Sequence, residues 1–217
     1  MSSSPEVDAL RAELVARGLR REDLAADPME QVRRWYDDAR AAGLHEPDAI
    51  VVSTVAADGT PSSRYVLMRG LDHGFVFFTN FESRKGREIE ARPVAAIVFP
   101  WHPLSRQVRA VGRVERVSDA ESDAYFAGRP RGSQIGAWAS PQSEPLVDRA
   151  DLEARTAEVE ARFAGVEVTR PPHWGGYRVV PDEVEVWQGR ADRLHDRVAY
   201  RRHPDDPTTW TVTRLAP

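Results

Sequence analysis

The hydrophobic and polar positions describe a helical opening followed by a long run of strand-like alternation. After a loose tail at residues 1–5, Leu10, Leu14 and Val15 mark a short amphipathic helix, and GLRREDL turns the chain. Asp27 and Pro28 read as the N-cap and first residue of a second helix, which runs through MEQVRRWYDDARAAG and stops at Gly43. From residue 49 the period changes to two. AIVVSTVA (49–56) and PSSRYVLMRG (61–70) form a hairpin across the Asp-Gly turn of ADGT. GFVFFTN (74–80) follows, then the pair VAAIVFPW (94–101) and QVRAVGRVERV (107–117). GGYRVVP, EVEVWQG and WTVTRL read as three further strands.

Helices interrupt the strands at residues 83–92, at 118–128 and at 148–165. Ser118 and Glu121 stand at capping-box spacing. So many hairpin-linked strands predict an antiparallel barrel or closed sheet in one compact α+β domain over residues 26–217. Residues 1–25 read as an amino-terminal arm, partly flexible.

Composition removes several classes of function. The 217 residues are 41% hydrophobic and 29% charged, with a net charge of −4, which gives no global reason to bind nucleic acid. There is no cysteine, so disulfides, thiolate nucleophiles and Cys-ligated metals are excluded. The histidines are scattered without metal-ligand spacing, and no metal is expected. No P-loop or Rossmann glycine motif follows a strand. The amino end has no signal-peptide run and no stretch is long enough to span a membrane, so a cytoplasmic protein is expected.

Four segments carry candidate chemistry. Ser83, Arg84 and Lys85 open a helix after the strand ending at Thr79. Cations at a helix start are electrostatically unfavourable without an anion, so a phosphate cradle is the reading there. In SSRYVLMRG, alternation puts Arg64, Val66 and Met68 on one face and Tyr65, Leu67 and Arg69 on the other. In YFAGRPRGSQ, Tyr125 and Arg129 share a helical face, and Ser133 begins another short helix, outlining a second anion site. Within WQGRADRLHDR, an extended strand would place Arg193, His195 and Arg197 on one face, where they repel unless something negative lies between them. Taken singly, the first segment is also compatible with a solvated basic helix turn, and the last three with solvent-facing arginines on capped helices and charged edge strands.

The ordered set RYVLMRG, FFTNFESRKG, FPWHPLSRQV, YFAGRPRGSQIGAWAS, WGGYRV, VEVWQG and RLHDR, closing on RLAP, resembles the pyridoxine/pyridoxamine 5′-phosphate oxidase family over nearly the whole chain. The resemblance implies an α+β fold, an antiparallel FMN-binding split β-barrel with peripheral helices, in a homodimer with active sites at the subunit interface. It implies oxidation of pyridoxine 5′-phosphate or pyridoxamine 5′-phosphate to pyridoxal 5′-phosphate, with dioxygen as acceptor and hydrogen peroxide as product. By position, FMN would be held by Arg64, Tyr65, Val66, Leu67, Met68 and Arg69, then by Phe78, Thr79, Ser83, Arg84 and Lys85. Gln107, Gln142, Ser143, Trp187 and Arg197 would complete that site. Substrate would meet Arg69, Tyr125, Arg129, Ser133, Arg193 and His195, the last two serving catalysis. The chain departs from the family's usual pattern at Arg69, where lysine is usual, at Phe78, where tyrosine is usual, and at Leu14 in the arm. A split-barrel flavin oxidoreductase for another substrate, and a non-catalytic B6-phosphate or flavin carrier, are the alternatives.

Overall fold

A computed structural model describes residues 4–217. Nine strands and six α-helices are found among the described residues. The strands are β1 (Ala49–Val55), β2 (Pro61–Leu67), β3 (Gly70–Leu71), β4 (Phe75–Asn80), β5 (Val94–Phe99), β6 (Arg106–Arg116), β7 (Trp174–Gln188), β8 (Asp196–Arg202) and β9 (Trp210–Leu215). The helices are α1 (Pro5–Arg17), α2 (Pro28–Ala41), α3 (Arg84–Ala91), α4 (Asp119–Ala127), α5 (Arg131–Ala139) and α6 (Arg149–Arg162). Every pairing is antiparallel, in the order β2-β1-β5-β6-β7-β4-β3, with β8 and β9 extending from β7. The ladder does not close: β2 and β3 are the ends of its main path, so the sheet is split and not a sealed barrel.

Local chemistry accounts for the elements that frame the site. Asp27 accepts a hydrogen bond from the Met29 amide and Pro28 opens α2, while Gly43 takes φ 71° just past its end. The predicted tail ends earlier than expected, because Ser4 caps α1 and Pro5 is already helical; residues 1–3 lie outside the described part. The two strands expected at GGYRVVP and EVEVWQG form one, β7. Its pairing with β6 slips between Val111 and Gly112, so the Pro181-Asp182 irregularity is absorbed as a bulge and need not end the strand. Gly112 makes that close approach possible, since a Cβ there would lie 2.0 Å from the Val180 carbonyl oxygen.

Two cores result. The larger joins Met29, Val32 and Trp35 of α2 to Ile50, Phe77, Ile97, Val108, Val179, Val186 and Tyr200 of the sheet, and includes Ile89 of α3. Val7 and Leu14 of α1 also belong to it. The smaller gathers Phe126, Ile135, Phe163, Val168 and Trp174 beneath α4, α5 and the end of α6. No helix among the described residues is long and apolar enough to cross a membrane.

Candidate active site

A cavity of about 1010 Å³ lies between these two cores, at the upper end of the range for small-molecule sites. Its walls come from β2, the end of β4, the start of α3, the α4–α5 corner and the segment after α5.

At the sheet end, β4 delivers Thr79 and α3 delivers Lys85. Ser83 caps α3: its hydroxyl accepts from the Gly86 amide at 3.3 Å and donates to the Asn80 carbonyl at 2.7 Å. A Cβ at Gly86 would come within 2.0 Å of the Phe81 carbonyl oxygen, so the helix start can nest there only with glycine. Lys85 is buried, and its Nζ donates to Thr79 Oγ1, Ser83 Oγ and Gln142 Oε1 at 3.1–3.2 Å. All three acceptors are neutral, and no carboxylate among the described residues forms an ion pair with the ammonium. Burial, then the charge of Arg64, lowers the Lys85 pKa to about 8 despite Glu88 nearby.

Arg64 and Arg84 converge on Glu88 beside this lysine. Arg64 Nη1 donates to Thr54 Oγ1 at 2.6 Å and to the Val52 carbonyl at 3.1 Å, while Nη2 approaches Glu88 Oε2 at 3.3 Å. Arg84 Nε donates to Glu88 Oε1 at 2.9 Å from one turn earlier on α3. Thr54 and Ser62 hydroxyls also donate to Glu88 Oε2. Burial alone would raise the Glu88 pKa, but the hydroxyls of Ser62 and Thr54, then Arg84 and Arg64, bring it down to about 2.

At the other end, Phe78, Tyr125 and Trp174 lie nearly parallel. Phe78 and Tyr125 are 3.9 Å apart between centroids at 10°, and Phe78 and Trp174 are 5.6 Å apart at 11°. Arg129 rests over the Trp174 ring at 4.6 Å. Its Nη1 is buried without a hydrogen-bond partner, alone in this among the described side chains. Arg129 lines the cavity, and a guanidinium with an unpaired nitrogen can bind an anion there. Ser133 lines the same end, but α5 begins at Arg131 with Pro130 as its cap, so Ser133 lies inside the first turn and does not start the helix. Arg131 turns away and donates to the Phe163 and Val166 carbonyls after α6.

The cavity thus brings together Arg64, Tyr65, Val66, Leu67, Arg69, Phe78, Thr79, Arg84, Lys85, Tyr125, Arg129, Ser133, Gln142 and Ser143 of the expected site. Two expected residues stand behind it: Met68 is buried in the large core and Ser83 is buried at the cap. Five others are absent from its walls: Gln107, Trp187, Arg193, His195 and Arg197. Gln107 and Trp187 pair across β6 and β7.

The expected Arg193-His195-Arg197 strand face does not exist. β8 starts only at Asp196, and Arg193 closes a short 3₁₀ turn, Ala191–Arg193. Asp192 and Arg193 both take left-handed backbone, φ 54° and 60°, which breaks the alternation. Leu194 is 70% exposed, so it forms no buried counter-face. The Arg190 amide donates to His195 Nδ1 at 3.1 Å, and the His195 ring packs 4.7 Å from Trp187. A backbone N–H can only donate, so the neutral ring carries its proton on Nε2. Arg197 is held by Glu185 through Nε at 2.8 Å and Nη2 at 3.1 Å.

Sequence reasoning missed Glu88, Trp174 and Asp48. Glu88 was within reach, because it follows Arg84 at the four-residue helical spacing that pairs charges. Trp174 and Asp48 come from chain segments far from their partners, Phe78 and Arg69, and had no local signal. No group of three or more His, Asp or Glu side chains placed to hold a metal occurs among the described residues.

Comparison with known proteins agrees with this geometry. Residues 11–163 match the family described as pyridoxamine 5′-phosphate oxidase, and residues 174–217 match the pyridoxine 5′-phosphate oxidase C-terminal dimerisation region. The chain is 57% identical to the pyridoxine/pyridoxamine 5′-phosphate oxidase of Burkholderia multivorans, covering 90% of this chain and 91% of the relative. It is 53% identical to that of Rubrobacter xylanophilus, covering 98% and 97%. Among solved structures, PhzG from Burkholderia lata 383, in complex with tetrahydrophenazine-1-carboxylic acid, superposes with TM-score 0.85 at 35% identity, covering 92% of this chain and 98% of that one. A pyridoxamine 5′-phosphate oxidase-related, FMN-binding protein from Nostoc punctiforme shares the fold, with TM-score 0.70 at 17% identity over 89% of this chain and all of that one. On these matches the chain belongs to the pyridoxine/pyridoxamine 5′-phosphate oxidase family, a family of oxidoreductases.

Proposed function

We propose that this protein oxidises pyridoxine 5′-phosphate and pyridoxamine 5′-phosphate to pyridoxal 5′-phosphate, using FMN and dioxygen and releasing hydrogen peroxide. The observation that carries the reading is the pair of cations without a carboxylate ion-pair partner among the described residues, Lys85 and Arg129, lining one cavity. Two anion sites suit two phosphorylated ligands whose rings meet between them.

The residues present fit FMN. Lys85, Arg84 and Arg64, with Thr79 and Gln142, would hold its phosphate, and the β2 main chain from Arg64 to Leu67 would line its ring. When bound, FMN supplies the two-electron acceptance that no side chain here can provide. The protein's own work is then orientation and charge. Arg129, Tyr125 and Ser133 would bind the substrate phosphate, and the Phe78–Tyr125–Trp174 stack would fix the direction of the Tyr125 phenol. A phosphate on Arg129 satisfies the buried nitrogen and excludes water from that end.

Arg193, His195, Trp187, Arg197 and Gln107 would enter the site from a second copy of the chain. They lie outside the cavity of their own chain, on or beside the segment that matches the dimerisation region. His195, with Nδ1 accepting from the Arg190 amide, would offer Nε2–H as a donor to the substrate rather than remove its proton.

The test is aerobic turnover by the purified, yellow protein. Pyridoxine 5′-phosphate should give aldehyde and peroxide in equal amounts, and pyridoxamine 5′-phosphate should give ammonia as well. Binding without peroxide would make the protein a carrier. The likeness to PhzG keeps a second substrate in the test: turnover of a reduced phenazine carboxylic acid, with none of the B6 esters, would replace the proposed reaction.

A further inference from the structure

The wall of the cavity contains an ion pair that the proposed reaction does not yet use. Arg69 lies between β2 and β3, and its amide donates to the Val76 carbonyl at 2.7 Å. Arg69 lines both the main cavity and a smaller one of about 430 Å³, whose lining includes Asp48 and Arg40. Asp48 lines only the smaller cavity. Arg69 Nη1 donates to Asp48 Oδ2 at 2.5 Å, with the two side chains 33% and 18% exposed. The Asp48 main chain is anchored beside it, because the Met68 amide donates to the Asp48 carbonyl at 2.8 Å. Nη1 is the only Arg69 side-chain nitrogen with a hydrogen-bond partner among the described residues.

We propose that Asp48 is a positioning residue for recognition of the substrate's phosphate ester. It grips one edge of the Arg69 fork from the far side of the wall and leaves the other edge for the main cavity. This rests on the function proposed above. A free arginine samples many rotamers, and a carboxylate on a fixed main chain selects one. The repulsion between Asp48 and a phosphate is the opposing effect. It acts at longer range through a partly exposed, screened wall, whereas the freed edge of the fork makes a direct charge-assisted contact. Arginine is what makes the arrangement work. A guanidinium keeps two anions on different nitrogens, whereas an ammonium would gather both onto one atom. A lysine at this position would be captured by Asp48.

The experiment titrates pyridoxal 5′-phosphate, and pyridoxal as its phosphate-free control, onto FMN-loaded full-length protein, read by the flavin absorbance. Asp48→Asn should weaken pyridoxal 5′-phosphate about fivefold and leave pyridoxal unchanged, with Asp48→Ser behaving alike. Arg69→Lys should weaken it about tenfold. Adding Asp48→Asn to Arg69→Lys should then tighten binding by about threefold over Arg69→Lys alone, a reversal of sign that a merely structural role does not produce. Additive losses, or equal losses for pyridoxal, would overturn the inference while leaving the proposed function standing. Failure of the unaltered protein to bind pyridoxal 5′-phosphate would remove both.

Discussion

The two ends of the cavity solve the same electrostatic problem in different ways. At the sheet end, three cations crowd together, and Glu88 pairs with two of them, cancelling one of the three charges. Lys85 is left among neutral oxygens. At the helical end a single guanidinium, Arg129, lies on an aromatic ring with one nitrogen unpaired. The scaffolds differ as well. The sheet end is bolted to the large core through Ile89 and Met68, whereas the helical end stands on five buried side chains. The lesson is that a resident cofactor and a transient substrate ask for different supports. On the proposed function, the first would need a rigid, partly neutralised cradle, and the second a site that can order around its ligand and release it.

The largest effect that sharpens this contrast is expected at Arg129. Nothing else pairs its buried end, so Arg129→Ala should raise the substrate KM roughly 30-fold or more, in line with about 2–3 kcal/mol for a charged hydrogen bond, and leave the protein yellow. Lys85→Ala comes next. It should weaken FMN at least roughly tenfold, measured by dialysis of the bound flavin, because Arg64 and Arg84 remain. Glu88→Gln should cost stability more than flavin. The folded-state carboxyl titrates near 2, well below its ordinary value of 4.5, so its contribution is complete above pH 4.5 and is lost as pH falls towards 2. Acid unfolding of wild-type and Glu88→Gln should therefore differ most above pH 4.5, by about 2–3 kcal/mol, and converge near pH 2.

A smaller effect separates the ends by pH. Lys85 in the free protein loses its proton near pH 8, and a bound phosphate would raise that value. FMN affinity should then be level below pH 8 and fall up to about tenfold per unit above it, with proton uptake on binding. Lys85 stands at the sheet end and not beside Arg129, so substrate affinity should lack the slope that Lys85 imposes. Smallest of all, amide exchange in α4 and α5 should be faster than in β4 and α3, and should slow when pyridoxal 5′-phosphate is added.

Much of this was legible in the residues themselves. Period-two alternation, the Asp58-Gly59 hairpin and the Ser118–Glu121 capping box are local signals, and each leads to the element found. The clustering of Ser83, Arg84 and Lys85 at a helix start beside the cavity was legible because the three are contiguous. Three features were not. One β7 strand looked like two because a bulge at Pro181 interrupts its pattern. Arg193 and His195 looked like a strand face because sequence alternation does not reveal left-handed backbone at Asp192 and Arg193. The Trp174 platform and the Asp48 anchor required long-range packing, which no local period encodes.

The most direct measurement is sequential calorimetric titration of FMN and then pyridoxal 5′-phosphate onto flavin-free wild-type, Lys85→Ala and Arg129→Ala proteins. Two separate sites predict that wild-type binds one of each per chain, that Lys85→Ala impairs the first ligand, and that Arg129→Ala impairs only the second. Mutual displacement of the two ligands, or loss of FMN on changing Arg129 with Lys85 indifferent, would contradict the account.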